Sequence, residues 1–158
     1  DDQSIDFKFM VHAIHAGERA GYVVCGYGNT GYDFSYVRYP GKLNNCEGCH
    51  LPGTYYPPDA TTAIATTFDA APATNPDRST PLGDVATSPA TAVCSTCHSS
   101  QAARNHMLSP STGGSADAVK DAGSGTPGAP VEGCRTCHGP GGSADVKAVH
   151  GIDQFKFN

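Results

Sequence analysis

A five-residue motif, Cys-x-x-Cys-His, occurs three times and constrains this chain more than any other feature. Two cysteines at this spacing can bond the two vinyl groups of one porphyrin, and the histidine that follows lies under the iron as its proximal ligand. The motif therefore predicts three covalently attached haem c groups (iron porphyrins). The predicted haem-binding residues are Cys46, Cys49, His50, Cys94, Cys97, His98, Cys134, Cys137 and His138.

Other uses of paired cysteines fit this pattern less well. A structural zinc site built from four cysteines, or from three cysteines and one histidine, gains nothing from a histidine fixed directly after every second cysteine. Thioredoxin-like redox pairs would sit in a βαβ pattern, which is absent from the sequence. A disulfide between cysteines three positions apart would close a small, strained loop. Haem attachment is therefore the favoured interpretation, with zinc and disulfides as the alternatives.

Composition indicates that bound haem replaces an ordinary protein core. The chain has 158 residues, of which 38% are hydrophobic, with 19 glycines and 12 prolines. This length predicts one domain, a single trihaem cytochrome c domain over residues 1–158. We expect a multihaem cytochrome c fold, mostly coil with a few short α-helices and one β-hairpin, in which the haems form the core. Because binding energy is then folding energy, we expect the chain without haem to be largely unfolded.

Charge and hydropathy exclude two classes of partner. The formal net charge of −5 argues against nucleic-acid binding, which needs a basic surface. No apolar run approaches the roughly 18 residues of a membrane span. Haem c is attached outside the cytoplasm, and the chain begins at Asp1-Asp2-Gln3 without an apolar leader, as expected after removal of a signal peptide. The expected location is extracellular or at the cell surface.

Local patterns predict few regular elements. The spacing of Phe7, Met10, Val11 and Ile14 predicts an amphipathic helix over residues 4–16, with Ser4 as N-cap and Gly17 as the stop. Residues 21–39 are predicted to form a hairpin that turns at 28–31 and is packed by its aromatic residues. Loops are predicted over the polar segment 51–92 and over 109–130. Two more helices are predicted, over 99–107 and from Ser143 to Val149, followed by a strand-like tail over 152–158.

Four histidines remain after the three proximal ones, and they are the candidate distal ligands: His12, His15, His106 and His150. Three six-coordinate irons need only three of them. His12 and His15 leave one helix in similar directions, so they suit two different haems rather than one. Methionine ligation, for which Met107 is a candidate, is a weaker alternative. The seventh cysteine, Cys25, is interpreted as a buried free thiol.

The surplus histidine predicts an assembly. If His12 or His15 bound the iron of a neighbouring subunit, copies would join head to tail, and such heterologous contacts give open filaments when the rotation does not close. The expected partners are therefore further copies of the chain, together with redox proteins or extracellular acceptors.

Several segments resemble the OmcA/MtrC family of outer-surface decahaem cytochromes. These are Phe9 to Glu18, Val37 to Cys46 running into Gly53-Thr54-Tyr55, His106-Met107, and Cys137 to Gly141 leading to His150. The chain is similar to the last three haems of a pentahaem module of that family. The resemblance implies extracellular electron transfer through closely stacked bis-histidine haems, with distal roles for all four remaining histidines.

The predicted function is therefore electron transfer through a polymeric cytochrome rather than catalysis. A haem enzyme must leave one iron position open, and this chain has a distal histidine for every iron. A monomeric electron shuttle, or a haem enzyme with one open position, is the alternative.

Overall fold

The computed structural model describes residues 4–25, 31–58, 63–68, 84–109, 111–112, 114, 116–118 and 132–155. Its helices are α1 (Phe7–Ala16), α2 (Pro89–Cys94), α3 (Gln101–Met107), α4 (Cys134–His138) and α5 (Val146–Val149). Short 3-10 turns cover Gly17–Arg19, Cys46–Gly48 and Ile152–Phe155. The strands are β1 (Val23–Cys25), β2 (Gly31–Asp33), β3 (Thr66–Phe68), β4 (Val85–Thr87) and β5 (Ala116–Ala118).

The strands form two small antiparallel sheets. β1 pairs with β2 as the predicted hairpin, with Val24 opposite Tyr32, although its second strand ends at Asp33 instead of continuing to Tyr39. The predicted hairpin turn lies outside the described residues. The second sheet has the order β3-β4-β5 and was not predicted. Its strands come from the two segments interpreted as loops, because a strand of three residues is too short to give a periodic signal.

The buried face of helix α1 overlaps only in part with the predicted one, since Met10 and Ile14 pack against the core but Phe7 does not. Phe9, Ala13 and Ala16 are buried, whereas Phe7 is 74% exposed. Phe9 packs edge-on against Tyr22 and Phe68, which places the hairpin and the second sheet on this side of the helix. The buried stripe is made largely of alanine, which the apolar pattern did not single out.

The described core joins α1 to α2. Ala13 and Ala92, both fully buried, belong to one cluster with Phe9 and Tyr22. Two alanines let helix backbones approach closely, and Tyr22 satisfies its own hydroxyl by donating to the carbonyl oxygen of Ser4 at 2.9 Å. The core therefore fixes the helix that carries His12 against the helix that ends at Cys94.

Helix ends are set by residues that the sequence analysis did not choose. Asp6, not Ser4, caps α1, and Asp145, not Ser143, caps α5. Gly17 ends α1 as predicted, with φ of 56°, and a Cβ at this position would overlap the carbonyl oxygen of Val37. The described part of the predicted strand-like tail is a 3-10 turn, because Ile152 is fully buried and the chain folds back over Gly151.

The Asp6 cap predicts an acid-sensitive contribution to stability. Burial raises the pKa of Asp6, but hydrogen bonds from Lys8 and Thr66 and the charge of Lys8 outweigh it, so the net pKa lies below 3.8. A lowered pKa in the folded state means that the stabilisation is complete above the unfolded pKa and is lost as pH falls through the folded one. Asp6→Ala should lower the free energy of unfolding at neutral pH by about 1 kcal/mol.

Denaturant unfolding of the haem-loaded protein checks this expectation. The gap between wild type and Asp6→Ala should shrink at pH values below 3.8. Glu18→Ala serves as control, since Glu18 makes only an exposed ion pair with Arg38. A gap that stays constant with pH would show that the Asp6 charge does not stabilise α1.

Candidate haem sites

Each Cys-x-x-Cys-His motif lies on a tight helical turn. The first motif starts with the 3-10 turn Cys46–Gly48, the second begins at the last residue of α2, and the third is α4 itself. In every copy the backbone N–H of the histidine, or of the residue after it, closes the turn: His50 and His98 donate to the carbonyls of Cys46 and Cys94, at 2.8 and 2.9 Å. This geometry presents both thiols to one side, and all six are free cysteines.

Six of the seven histidines form three pairs, each between a motif histidine and one of the four others. The ring centroids are 5.9 Å apart for His12 and His50, 5.9 Å for His98 and His150, and 6.1 Å for His106 and His138. With metal–nitrogen bonds of about 2.0 Å on each side, two imidazoles sharing one metal hold their centroids roughly 6 Å apart. The observed spacing therefore leaves room for one iron between each pair.

We refer to these groups as sites 1 to 3, in the order of their motifs. Site 1 comprises Cys46, Cys49, His50 and His12. Site 2 comprises Cys94, Cys97, His98 and His150. Site 3 comprises Cys134, Cys137, His138 and His106.

Backbone hydrogen bonds select the ring nitrogen available to a metal. Nδ1 of His12 lies 2.6 Å from the carbonyl oxygen of Lys8, and Nδ1 of His150 lies 2.9 Å from that of Val146. Nδ1 of His138 lies 3.1 Å from the carbonyl oxygen of Ala144. Since a carbonyl only accepts, Nδ1 must carry the proton, and the lone pair is then on Nε2. Such a partner is typical of a metal-binding histidine and fixes the ring orientation.

His15 has the same kind of hydrogen bond from Nδ1 to a backbone carbonyl, but in the part of the chain that the structure describes no second histidine lies beside its ring. Its Nδ1 lies 2.7 Å from the carbonyl oxygen of Val11, and its ring packs edge-on against Tyr39 at 5.2 Å. The side chain is exposed. Among the described residues, which include all seven histidines, His15 is the one histidine whose ring does not face another. His12 and His15 thus have different surroundings, and the prediction that they serve two different haems stays a prediction.

Electrostatics favour the neutral, metal-binding form of two proximal histidines. Burial lowers the pKa of His50, and the neighbouring His12 lowers it further. Burial also lowers the pKa of His98, followed by the charges of His150, His138 and Arg19. A neutral imidazole is the form that binds a metal.

Site 2 interacts with both of the others. The protein packed around Cys94 raises the pKa of its thiol to about 12, and the largest contribution from a charge comes from Cys134 of site 3, although the side chain keeps solvent contact. The pKa of the Cys46 thiol of site 1 is raised by burial and, among charges, first by Cys97 of site 2. Cysteines of site 2 therefore lie close enough to cysteines of sites 1 and 3 for their charges to interact.

Four connections between segments that are distant in the chain hold the sites together. Asn44, two residues before the first motif, donates to the carbonyl oxygen of His150 at 2.8 Å, across 106 positions. Tyr56 donates to the Asp145 carboxylate at 3.0 Å, and Arg135 donates to the carbonyl of Pro57 at 2.8 Å. Glu132 makes the fourth connection, to α2. The role of these residues could not be predicted from the sequence because their partners are distant in the chain.

Asp145 connects two sites through the helix that it caps. Its carboxylate accepts the backbone N–H groups of Gly141 and Lys147, at 2.6 and 2.8 Å, so its pKa is lowered. The preceding residue, Ala144, supplies the carbonyl that orients His138 of site 3. The capped helix, α5, leads into His150 of site 2. One short segment therefore orients a histidine at each of two sites.

The geometry fits haem better than a protein-only metal site. In the described part of the chain, no three His, Cys, Asp or Glu side chains come together to hold one ion. Structural zinc takes four protein ligands, whereas a haem iron needs only the two axial ones from protein. The free thiols and the paired histidines would supply the attachment points and the axial ligands of c-type haem.

These features define a multihaem c-type cytochrome. The chain belongs to the family described as outer membrane cytochrome MtrC/MtrF-like, domains II/IV, whose model matches residues 1–151. No curated protein and no solved structure matches the sequence significantly. Membership implies covalently bound c-type haem, a role in electron transfer, and an outer-membrane or cell-surface context. None of the described helices is both long and apolar enough to cross a membrane.

Proposed function

We propose that this chain binds three bis-histidine haem c groups and conducts electrons at the cell surface, in the order site 1, site 2, site 3. The observation that carries the proposal is that each motif histidine faces a second histidine at about the spacing that one iron requires. The bound haems would supply iron that alternates between the ferric and ferrous states. The protein's part is to hold both axial positions and to fix the three sites relative to one another.

The distal histidines favour electron transfer for a physical reason. His12, His106 and His150 would fill the positions that an enzyme must leave open for its substrate. An iron with the same two ligands in both oxidation states needs little rearrangement when its charge changes. The orienting carbonyls of Lys8 and Val146 keep two of these rings fixed throughout.

The order of the sites rests on their mutual interactions. Cys46 of site 1 and Cys134 of site 3 both interact with cysteines of site 2. Asn44 and Glu132 tie the first and third motifs, respectively, to residues of site 2 and its helix. Electrons entering at one end would therefore cross site 2 to reach the other.

Voltammetry of the haem-loaded protein tests this function against catalysis. Three reversible one-electron couples per chain, unchanged when carbon monoxide or nitrite is added, are expected. A haem enzyme with an open iron would bind either molecule and shift one couple. Fewer than three couples would contradict the proposed number of haems.

We also propose that copies of the chain join head to tail through His15, giving a filament. The support is that His15 is exposed and that its Nδ1 donates to the carbonyl oxygen of Val11. The lone pair of Nε2 is therefore available to a metal outside the chain. His12 no longer suits this role because it faces His50 in the same chain. Each motif already has a facing histidine in its own chain. To bind an iron of a second copy, His15 would therefore have to displace the distal histidine of that copy.

His15→Ala should abolish filaments in electron micrographs of the haem-loaded protein and lower its sedimentation coefficient to that of a monomer. The three haems should stay bound, because the three facing pairs do not include His15. Glu18→Ala, which alters an exposed side chain three residues away, is the matched control. Unchanged filaments in His15→Ala, or a monomeric wild type, would contradict assembly through this residue.

A further inference from the structure

Glu132 is a carboxylate that neither the motifs nor the axial ligands account for. It lies two residues before Cys134, and its side chain reaches the first turn of α2. It accepts the backbone N–H groups of Ala90 at 2.7 Å and Thr91 at 2.8 Å, and the Thr91 hydroxyl at 2.7 Å. These contacts span 41 and 42 positions in the chain.

The local sequence leaves this task to Glu132. The first N–H groups of any helix have no partner within the helix. Ser88 occupies the N-cap position of α2 but makes no side-chain cap hydrogen bond, and Pro89 has no N–H to offer. Ala90 and Thr91 are 6% and 4% exposed, so water has little access to their N–H groups. The carboxylate from before the third motif is therefore the cap of the helix that ends at Cys94.

The position of Glu132 gives it influence over two sites at once. Along the chain, Glu132 lies two residues before Cys134 of site 3. Its side chain binds the first turn of α2, the helix that ends at Cys94 of site 2. Burial raises the pKa of the Cys134 thiol, and the charge of Glu132 raises it further. The same carboxylate contributes to the raised pKa of Cys94, after burial and the charge of Cys134. Its negative charge is thus felt at both attachment points.

We propose that Glu132 is a positioning residue that locks sites 2 and 3 together and makes both of their haems harder to reduce than an uncharged residue would. This inference rests on the proposed function. A negative charge close to two irons favours their more positive, ferric state. The hydrogen bonds to α2 hold that charge at the boundary between the two sites, where it acts on the second step of the electron path.

Glu132→Gln tests the charge with little change in shape. The variant keeps one acceptor oxygen for α2 and removes the negative charge. Glu18→Gln makes the same change in net charge at an exposed position and is the matched control. Both are compared with wild type by redox titration followed through the NMR signals of the haem methyl groups, which separates the three haems.

In Glu132→Gln, we expect the reduction potentials at sites 2 and 3 to rise and the potential at site 1 to stay at its wild-type value. In Glu18→Gln, all three reduction potentials should equal those of wild type. Equal shifts at all three sites, or none, would overturn the inference. If Glu132→Gln does not load three haems, Glu132→Asp is measured instead. Glu132→Asp keeps the charge but places it one methylene farther from α2. Smaller shifts in reduction potential are then expected at the same two sites. Wild-type potentials in this variant would contradict the proposal.

A wild-type protein without three bis-histidine haems would contradict the proposed function itself. Three such haems whose potentials ignore Glu132 would contradict this inference alone. The wild-type titration therefore separates the two failures before any variant is considered.

Discussion

Replacing Cys94 and Cys97 by alanine together should remove the haem of site 2 and disconnect the two that remain. In the proposed order, site 2 lies between the other two sites, so its loss would leave two haems without a direct neighbour. Electron tunnelling slows steeply with distance. Transfer between the outer haems should therefore become far slower than in wild type, even in molecules that keep both of them.

The matched comparison is the double variant Cys46→Ala and Cys49→Ala, which removes an outer haem and leaves sites 2 and 3 adjacent. Circular dichroism of the Soret band reports coupling between neighbouring haems. A split, two-signed band is expected in wild type and in the site 1 variant, and a simple band in the site 2 variant. A split band that survives loss of site 2 would mean that sites 1 and 3 adjoin directly, contrary to the proposed order.

Loss of site 2 should also weaken the fold more than loss of site 1. The core cluster includes Ala92 of α2, two residues before Cys94, and His150 follows α5. Both elements would lose the cofactor between them. Urea unfolding of the two double variants should give the lower midpoint for the site 2 variant, provided that intact mass confirms two haems in each.

The second large effect is expected from single replacements of the distal histidines. His12→Ala, His106→Ala and His150→Ala should each convert one ferric haem from low spin to high spin, because each removes the ring facing a motif histidine. Added imidazole should restore the low-spin state by filling the vacated position. Electron paramagnetic resonance of the ferric protein separates the two spin states directly.

His15→Ala is the control in this series, since its ring faces Tyr39 instead of a histidine. In the monomeric protein it should leave every haem low spin. A high-spin haem in His15→Ala, combined with none in His12→Ala, would mean that the two histidines exchange roles when haem is bound. The assignment of His12 to site 1 would then be wrong.

Haem attachment is the part of the site that a sequence can predict, because its chemistry demands a fixed local spacing of cysteine and histidine. Helix α1 was also predictable in part, since its ending at Gly17 depends on one residue's backbone freedom. Its buried face was predicted only in part, because Met10 and Ile14 pack against the core while its centre lies at Phe9 and Ala13. The pattern weighted large apolar residues such as Phe7, while the close contact with α2 is made through Ala13.

Long-range pairings could not be read from the sequence. Four candidate distal histidines and three motifs allow many assignments, and only the folded chain brings His12 to His50 and His106 to His138. The caps of Asp145 and Glu132 were missed for different reasons. Asp145 follows an equally plausible cap, Ser143, whereas Glu132 caps a helix more than forty residues earlier in the chain.

The most direct test of the central claim combines intact mass and near-infrared magnetic circular dichroism on one sample of purified ferric protein. The account predicts a mass equal to that of the chain plus three haems, and ligand-field bands of bis-histidine iron from all of them. A mass with fewer haems, or a band from methionine-ligated or high-spin iron in the monomeric protein, would contradict the claim that three facing histidine pairs each hold one iron.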